Sequence, residues 1–261
     1  MWLDTALHQA AGLHSFTPER QLRLLPVVSQ SNAAGSTELE MLWQLCSSLQ
    51  RLSYAVVVLD GTALEDERTP GLAQLLGGLD WPGSTGAADG ASLAVVPAAR
   101  GLAQLARHTG PVALTRLAGL FRSYAVAVLY APVERLSCLV QASAGVPLVM
   151  TGPAAQGLVG AYRQLKHLAL HASPPACVVA SVRPPGARMP PAQTAEALAT
   201  LQHSAQAQLG LRVHTTAVDA VRAQDIQRLA LQLLENACTM QADIPCTAAG
   251  AFAAPPLEPR H

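Results

Sequence analysis

LLPVVSQSNAAGSTELEMLWQLCSSLQRLSYAVVVLD, residues 24–60, reads as strand, tight loop, helix and strand, and the rest of the chain is arranged around it. Leu24 to Ser29 is a short apolar run, and Gln30 to Ser36 is a turn of small residues. Thr37 to Leu52 sets Leu39, Leu42, Trp43, Leu45, Cys46, Leu49 and Leu52 at helical spacing, which predicts one apolar stripe against a core. Tyr54 to Leu59 is a β-branched run that closes on Asp60. A buried strand feeding a loop at a helix N-terminus, then a second buried strand, is how nucleotide-binding α/β domains begin.

The loop stands where a phosphate would be held, but its residues do not suit one. A working phosphate loop needs glycines where the backbone turns, a lysine for charge and a Ser/Thr hydroxyl for Mg²⁺. Here the residues are Gln30, Ser31, Asn32, Ala33, Ala34, Gly35, Ser36 and Thr37, with one glycine, one suitably placed hydroxyl and no cation. The free N–H groups of a helix N-terminus attract an anion in any protein, by far less than a lysine would.

Composition narrows the choices. The chain has 261 residues, 50% of them apolar and 13% charged, enough to bury the core of one large α/β domain. Zero net charge and a pI near 7.1 leave no electrostatic case for nucleic acid. Sixteen of the seventeen basic residues are arginine; Lys166 is the only lysine, and it falls inside a predicted helix. No other lysine exists to serve a phosphate, a Schiff base or a general base. Cys46, Cys138, Cys177, Cys238 and Cys246 are scattered without a CxxC pair, which argues against a disulfide framework or zinc site. The N-terminus lacks a basic run before an apolar core, and no apolar stretch is long enough to span a bilayer. The expected location is the cytoplasm, with peripheral contact at the inner membrane as the alternative.

In chain order, residues 1–21 form an N-terminal arm with Leu3, Leu7, Ala10, Ala11, Leu13 and Phe16 at helical spacing. It reads either as a helix packed on its own domain or as a detachable docking peptide. Residues 22–237 form the α/β domain. Gly61 to Pro70 is an acidic surface loop holding Glu65, Asp66 and Glu67, and Trp81 to Gly90 is an exposed turn. Further strands are expected at Leu93–Pro97, Tyr124–Tyr130, Val146–Thr151, Ala176–Val182 and Leu211–Val218, with helices between them. The last helix, Ala220–Ala237, reads as a core helix or as one lying on a membrane. Residues 238–261, rich in proline, are expected to be a flexible tail. Strand–helix alternation predicts a mainly parallel seven-stranded sheet with helices on both faces, where ligands sit at the carboxyl ends of strands.

Those ends look chemically poor. Asp60 follows strand two and could hold Mg²⁺ only in isolation, and no nucleophile elbow or Ser-His-Asp pattern stands out. Cys177 lies inside a strand and is expected to pack. His167 and His171 have a spacing compatible with metal but no local carboxylate or third histidine, so they read as two partly exposed histidines.

Three stretches carry a family resemblance. His8-Gln9-Ala10-Ala11-Gly12-Leu13-His14 is similar to a DQAxxLR motif whose charged ends have become histidine. Ser92 to Gly101, SLAVVPAARG, is similar to a GLxVLPAxxG strand and turn, and Pro153 to Leu168, PAAQGLVGAYRQLKHL, to a PEPTSxTDAYALIK helix. On these, and on strand spacing over Leu7 to Leu234, the chain resembles the MinD/ParA group of deviant-P-loop ATPases. Within that group it resembles the FlhG (FleN) regulators of flagellar number and position.

The resemblance carries the family's nucleotide machinery onto positions that cannot run it. The loop GKGGVGKT falls on Gln30–Thr37, so Ser31 replaces the signature lysine and Ser36 the phosphate-binding lysine. The DAD after strand two falls on Asp60-Gly61-Thr62, with Thr62 in place of the water-orienting aspartate. DTPAG falls on Tyr130-Ala131-Pro132-Val133-Glu134, and the adenine-reading asparagine on Ala180. Phosphoryl transfer depends on positioning and electrostatics, and these changes together remove both.

The resemblance therefore implies a pseudo-ATPase that binds neither ATP nor Mg²⁺ and acts through protein partners. Gln9, Ala10, Ala11, Gly12 and Leu13 are its candidate partner-binding residues, and the flagellar GTPase FlhF, switch components or a flagellar transcription activator the implied partners. A monomer fits a scaffold that no nucleotide holds as a dimer. The competing readings are an accessory subunit of another envelope machine, such as polysaccharide or cellulose secretion, and an active ATPase with an unfamiliar site.

Overall fold

The computed structural model describes residues 21–30, 35–79, 93–108, 111–143, 145–186 and 190–240. Seven parallel strands run β1 (Leu22–Val28), β2 (Val56–Asp60), β3 (Leu93–Pro97), β4 (Val126–Ala131), β5 (Leu148–Thr151), β6 (Cys177–Arg183) and β7 (Val213–Asp219). Their order across the sheet is β3-β2-β4-β1-β5-β6-β7. This is a three-layer α/β arrangement around a parallel sheet, as the strand–helix alternation led us to expect.

β4 is buried along all six residues because it lies between β1 and β2 with helices above and below. Alternation along the strands divides the core. Val126, Val128 and Tyr130 point to one side, where they meet α1 (Gly35–Arg51) and α8 (Ala223–Glu235). Ala127, Leu129 and Ala131 point to the other, which is packed by α2 (Leu72–Leu76), α3 (Ala99–Leu105), α4 (Pro111–Leu120), α5 (Val133–Ser143), α6 (Ala155–His171) and α7 (Pro191–Leu209).

α1 buries Met41, Leu42, Leu45, Cys46 and Leu49, while Glu38 in its first turn and Arg51 in its last complement the helix dipole. It stops at Ser53, whose φ is 65°; the Tyr54 N–H then reaches back to the Leu49 carbonyl at 3.1 Å. Two members of the expected stripe, Leu39 and Trp43, face solvent instead. On α8 the apolar side (Ile226, Leu229, Ala230, Leu233, Leu234) is buried against α1 and the sheet, so the core reading of that helix holds.

Two further expectations are corrected. The proline-rich tail was to begin at 238, but Cys238–Met240 forms an eighth strand, β8, antiparallel to β1 through Leu22↔Met240 and Leu24↔Cys238. β5 pairs β1 only at Val27 and Val28, which leaves the first half of β1 open on that edge; β8 fills it. Three residues after a helix carry too little pattern to announce a strand.

The acidic loop after β2 was expected to be solvated, yet Glu65 is 0% exposed. Its carboxylate accepts from the Arg100 N–H at 2.6 Å, the Gly101 N–H at 2.8 Å and the Ala73 N–H at 3.4 Å, tying the first turns of α2 and α3 together. The clamp needs close approach. A Cβ on Gly101 would stand 2.5 Å from Leu72, and one on Gly71 2.1 Å from the Pro97 carbonyl oxygen. Asp66 only closes its own turn on Arg68 and Thr69, and Glu67 is exposed. Glu65→Ala leaves several buried N–H groups unmet and is expected to lower the unfolding free energy by about 3 kcal/mol in urea titration, against under about 0.5 for Glu67→Ala.

Candidate functional site

Parallel strands bring their carboxyl ends to one rim. There β1 ends in Ser29 and Gln30, β2 in Asp60, β4 in Tyr130 and Ala131, and β5 in Thr151. Gly61 joins two of these ends: its N–H donates to the Tyr130 carbonyl at 2.7 Å, and a Cβ there would stand 2.4 Å from that of Ala131.

The centre of the rim is a carboxyl group. Glu38, in the first turn of α1, is 5% exposed. The backbone N–H of Gln30 is shared between its two carboxyl oxygens at 3.0 and 3.1 Å. The Tyr130 hydroxyl hydrogen-bonds the same carboxyl group. The amide of the Gln30 side chain donates to the Met150 carbonyl, which fixes the start of the loop against β5. Burial pushes the Glu38 carboxyl up to about 7, against the pull of the Gln30 N–H and the Tyr130 hydroxyl. Burial also raises the Tyr130 phenol, reinforced by the negative charge of Glu38 and, more weakly, of Asp60.

Two cavities flank this group. One of about 370 Å³ is lined by Gln30, Thr37, Glu38, Met150, Thr151 and Gly157, among others. The other, about 500 Å³, is bordered by Ser29, Gln30, Thr62, Tyr130 and Arg135. Asp60 is committed to a local turn, its Oδ1 accepting from the Thr62 N–H at 2.8 Å and the Thr62 hydroxyl at 2.6 Å. Nη1 of Arg135 donates to the carbonyls of Gly61 at 2.9 Å and Ala99 at 3.1 Å, stapling the loop after β2 to the start of α3.

Of the loop residues singled out in the sequence, Gln30 and Thr37 line the first cavity, and Gly35 and Ser36 open α1. Ser31, Asn32, Ala33 and Ala34 lie outside the described residues, as do Gln9, Ala10, Ala11, Gly12 and Leu13. Ala180 does not stand at a strand end: it is buried in mid-β6 against the α1 and α8 layer, and Arg183 and Pro184 occupy the rim there. Glu38 and Arg135 escaped sequence reading. A glutamate one residue past the loop's Thr37, and an arginine three residues into the helix after β4, were the available signals.

Cys177 is fully buried in β6, where its place inside a strand led us to expect it to pack. Burial raises the Cys177 thiol to about 12, as befits a packed cysteine. The rings of His167 and His171 lie 4.4 Å apart, and no cluster of three or more metal-binding side chains occurs among the described residues. No helix among them is long and apolar enough to cross a membrane.

No family model matches the chain, and no curated protein is similar to it in sequence. Similar solved structures do exist. Cobyrinic acid a,c-diamide synthase from Mycobacterium smegmatis, solved with bound ADP and magnesium, is 16% identical, with a TM-score of 0.54 over 82% of this chain and 94% of that one. A ParA family ATPase from Chlorobium tepidum TLS is 12% identical, with a TM-score of 0.46 over 83% of this chain and 96% of its own. A putative plasmid partition protein from Borrelia burgdorferi B31 bound to AMPPNP is 10% identical, with a TM-score of 0.45 over 81% and 99%. At such identity the synthase likeness is one of fold.

Glu38 gives the rim a pH signature. A carboxyl raised in the fold is favoured protonated, so its contribution is complete below the unfolded value of about 4.3 and is lost as pH rises through 7. Glu38→Gln keeps an acceptor for the Gln30 N–H and removes the titration. Between pH 4 and 8 the native protein is expected to lose on the order of 1–3 kcal/mol relative to Glu38→Gln, measured by urea unfolding at each pH.

Proposed function

We propose that this chain is a nucleotide-independent binding protein built on the MinD/ParA-like fold. The observation that carries the reading is the Glu38 carboxyl on the Gln30 N–H, at the base of the loop where relatives of this fold class cradle phosphate. An acidic side chain takes up a loop N–H and, once ionised above about pH 7, adds negative charge, while the one lysine stands well along α6 at Lys166. A triphosphate there would meet repulsion and lost hydrogen bonds, both costly at a half-buried site. These residues do not fit ATP·Mg²⁺, and no catalytic step is assigned to them.

The FlhG-like stretches give the reading its direction: regulation of flagellar number, placement or assembly through protein contacts. The arm motif Gln9–Leu13 is the docking element, with FlhF or switch proteins as partners. The genes beside this one and the motility of a deletion strain distinguish this role from service to polysaccharide or cellulose secretion.

Titration with ATP and Mg²⁺ into the millimolar range is expected to leave the thermal midpoint unmoved. A ligand at about 100 times its Kd would add about 2.7 kcal/mol, a rise easily seen. A saturable rise at micromolar ATP overturns the reading, and loss of that rise in Arg135→Ala would name the cation responsible.

A further inference from the structure

The two edges of one sheet face are finished differently. On the face packed by α1 and α8, β7 shows exposed His214 and half-buried Thr216 beside buried Val218, a polar finish suited to water. At the opposite edge β3 presents Leu93 and Val95 on that same face, and Val95 is 52% exposed. Beside it α1 turns Leu39 and Trp43, one helical turn apart, out to 50% and 56% exposure. With Leu42 and Val58 beneath and Asp60 toward the strand-end mouth, they enclose an apolar groove of about 220 Å³. Contiguous apolar surface of this kind marks a covered face rather than a free one.

Residues 1–20 supply a matching cover. Their sequence sets Leu3, Leu7, Ala10, Ala11, Leu13 and Phe16 at helical spacing, an apolar stripe in need of a partner. The segment joins the sheet at Leu22, the first residue of β1, three strands from β3. That is about 14 Å across the sheet at roughly 4.8 Å per strand. Twenty residues reach about 30 Å as a helix and roughly 66 Å extended. We propose that residues 1–20 dock as a helix in the α1–β3 groove of their own chain, laying Leu3, Leu7 and Leu13 over Leu39, Trp43 and Val95. The arm then has two alternative seats, its own groove and a partner, and a partner that takes it uncovers Trp43. The docking stands or falls independently of the nucleotide reading.

The test uses the full chain with Trp2→Phe and Trp81→Phe, which leaves Trp43 as the sole tryptophan. Acrylamide quenching of Trp43 is compared with and without Leu7→Asp/Leu13→Asp in the arm, with mass followed by light scattering and folding by cooperative melting. The expected result is weak quenching in the intact chain, independent of dilution and at monomer mass, and a several-fold stronger quenching in the arm variant with melting still cooperative. Three results overturn the proposal. Trp43 could quench as strongly in the intact chain as in the variant. Its protection could survive the arm variant. Or protection could vanish on dilution together with a dimer mass, which would make a second copy the cover.

Discussion

The hydrogen bond from the Gln30 N–H to the Glu38 carboxyl fixes how the rim of this sheet is built. A helix N-terminus presents unsatisfied N–H groups and a positive dipole end, and something negative or polar must meet them. In this chain the carboxyl of that first turn meets a different free N–H, that of Gln30 just past β1. Glu38 folds back from the first turn of α1 to the end of β1, and the Tyr130 hydroxyl at the end of β4 closes on the same carboxyl. Three elements are thus joined by one group, which is nearly removed from water and so holds its proton far above the ordinary range.

A second buried carboxyl does comparable work on the far side of β2. Glu65 gathers the N–H groups of Arg100, Gly101 and Ala73, and Arg135 answers with a guanidinium on the carbonyls of Gly61 and Ala99. The charged groups around the strand ends are therefore largely spent on holding loops, helices and strands in register. Asp60, closed on Thr62, belongs to the same pattern. A rim organised in this way supports the proposed reading of the chain as a binding protein.

Much of the architecture could be read from residue pattern. The apolar runs of β1, β2 and β4 and the helical spacing of α1 and α6 announce a buried parallel sheet, and the lone lysine announces the charge deficit. What escaped depends on distance in the chain. Glu65 looked solvated because its partners lie 35 and 36 residues away. β8 was invisible because the opening it fills is made by the shortness of β5. Leu39 and Trp43 counted as core because periodicity names a face without saying what covers all of it. Glu38 and Arg135 were overlooked because the loop motif directs attention to its own eight positions, whereas the carboxyl and the guanidinium enter from just beyond them.

The most direct measurement is the carbon-13 NMR titration of the Glu38 side-chain carboxyl, assigned with Glu38→Gln and repeated with millimolar pyrophosphate and Mg²⁺. The expected midpoint lies near 7, with a resonance that pyrophosphate leaves in place. A midpoint near the ordinary carboxyl value of about 4.3, or a resonance displaced at micromolar pyrophosphate, would contradict a rim whose anion place is already taken.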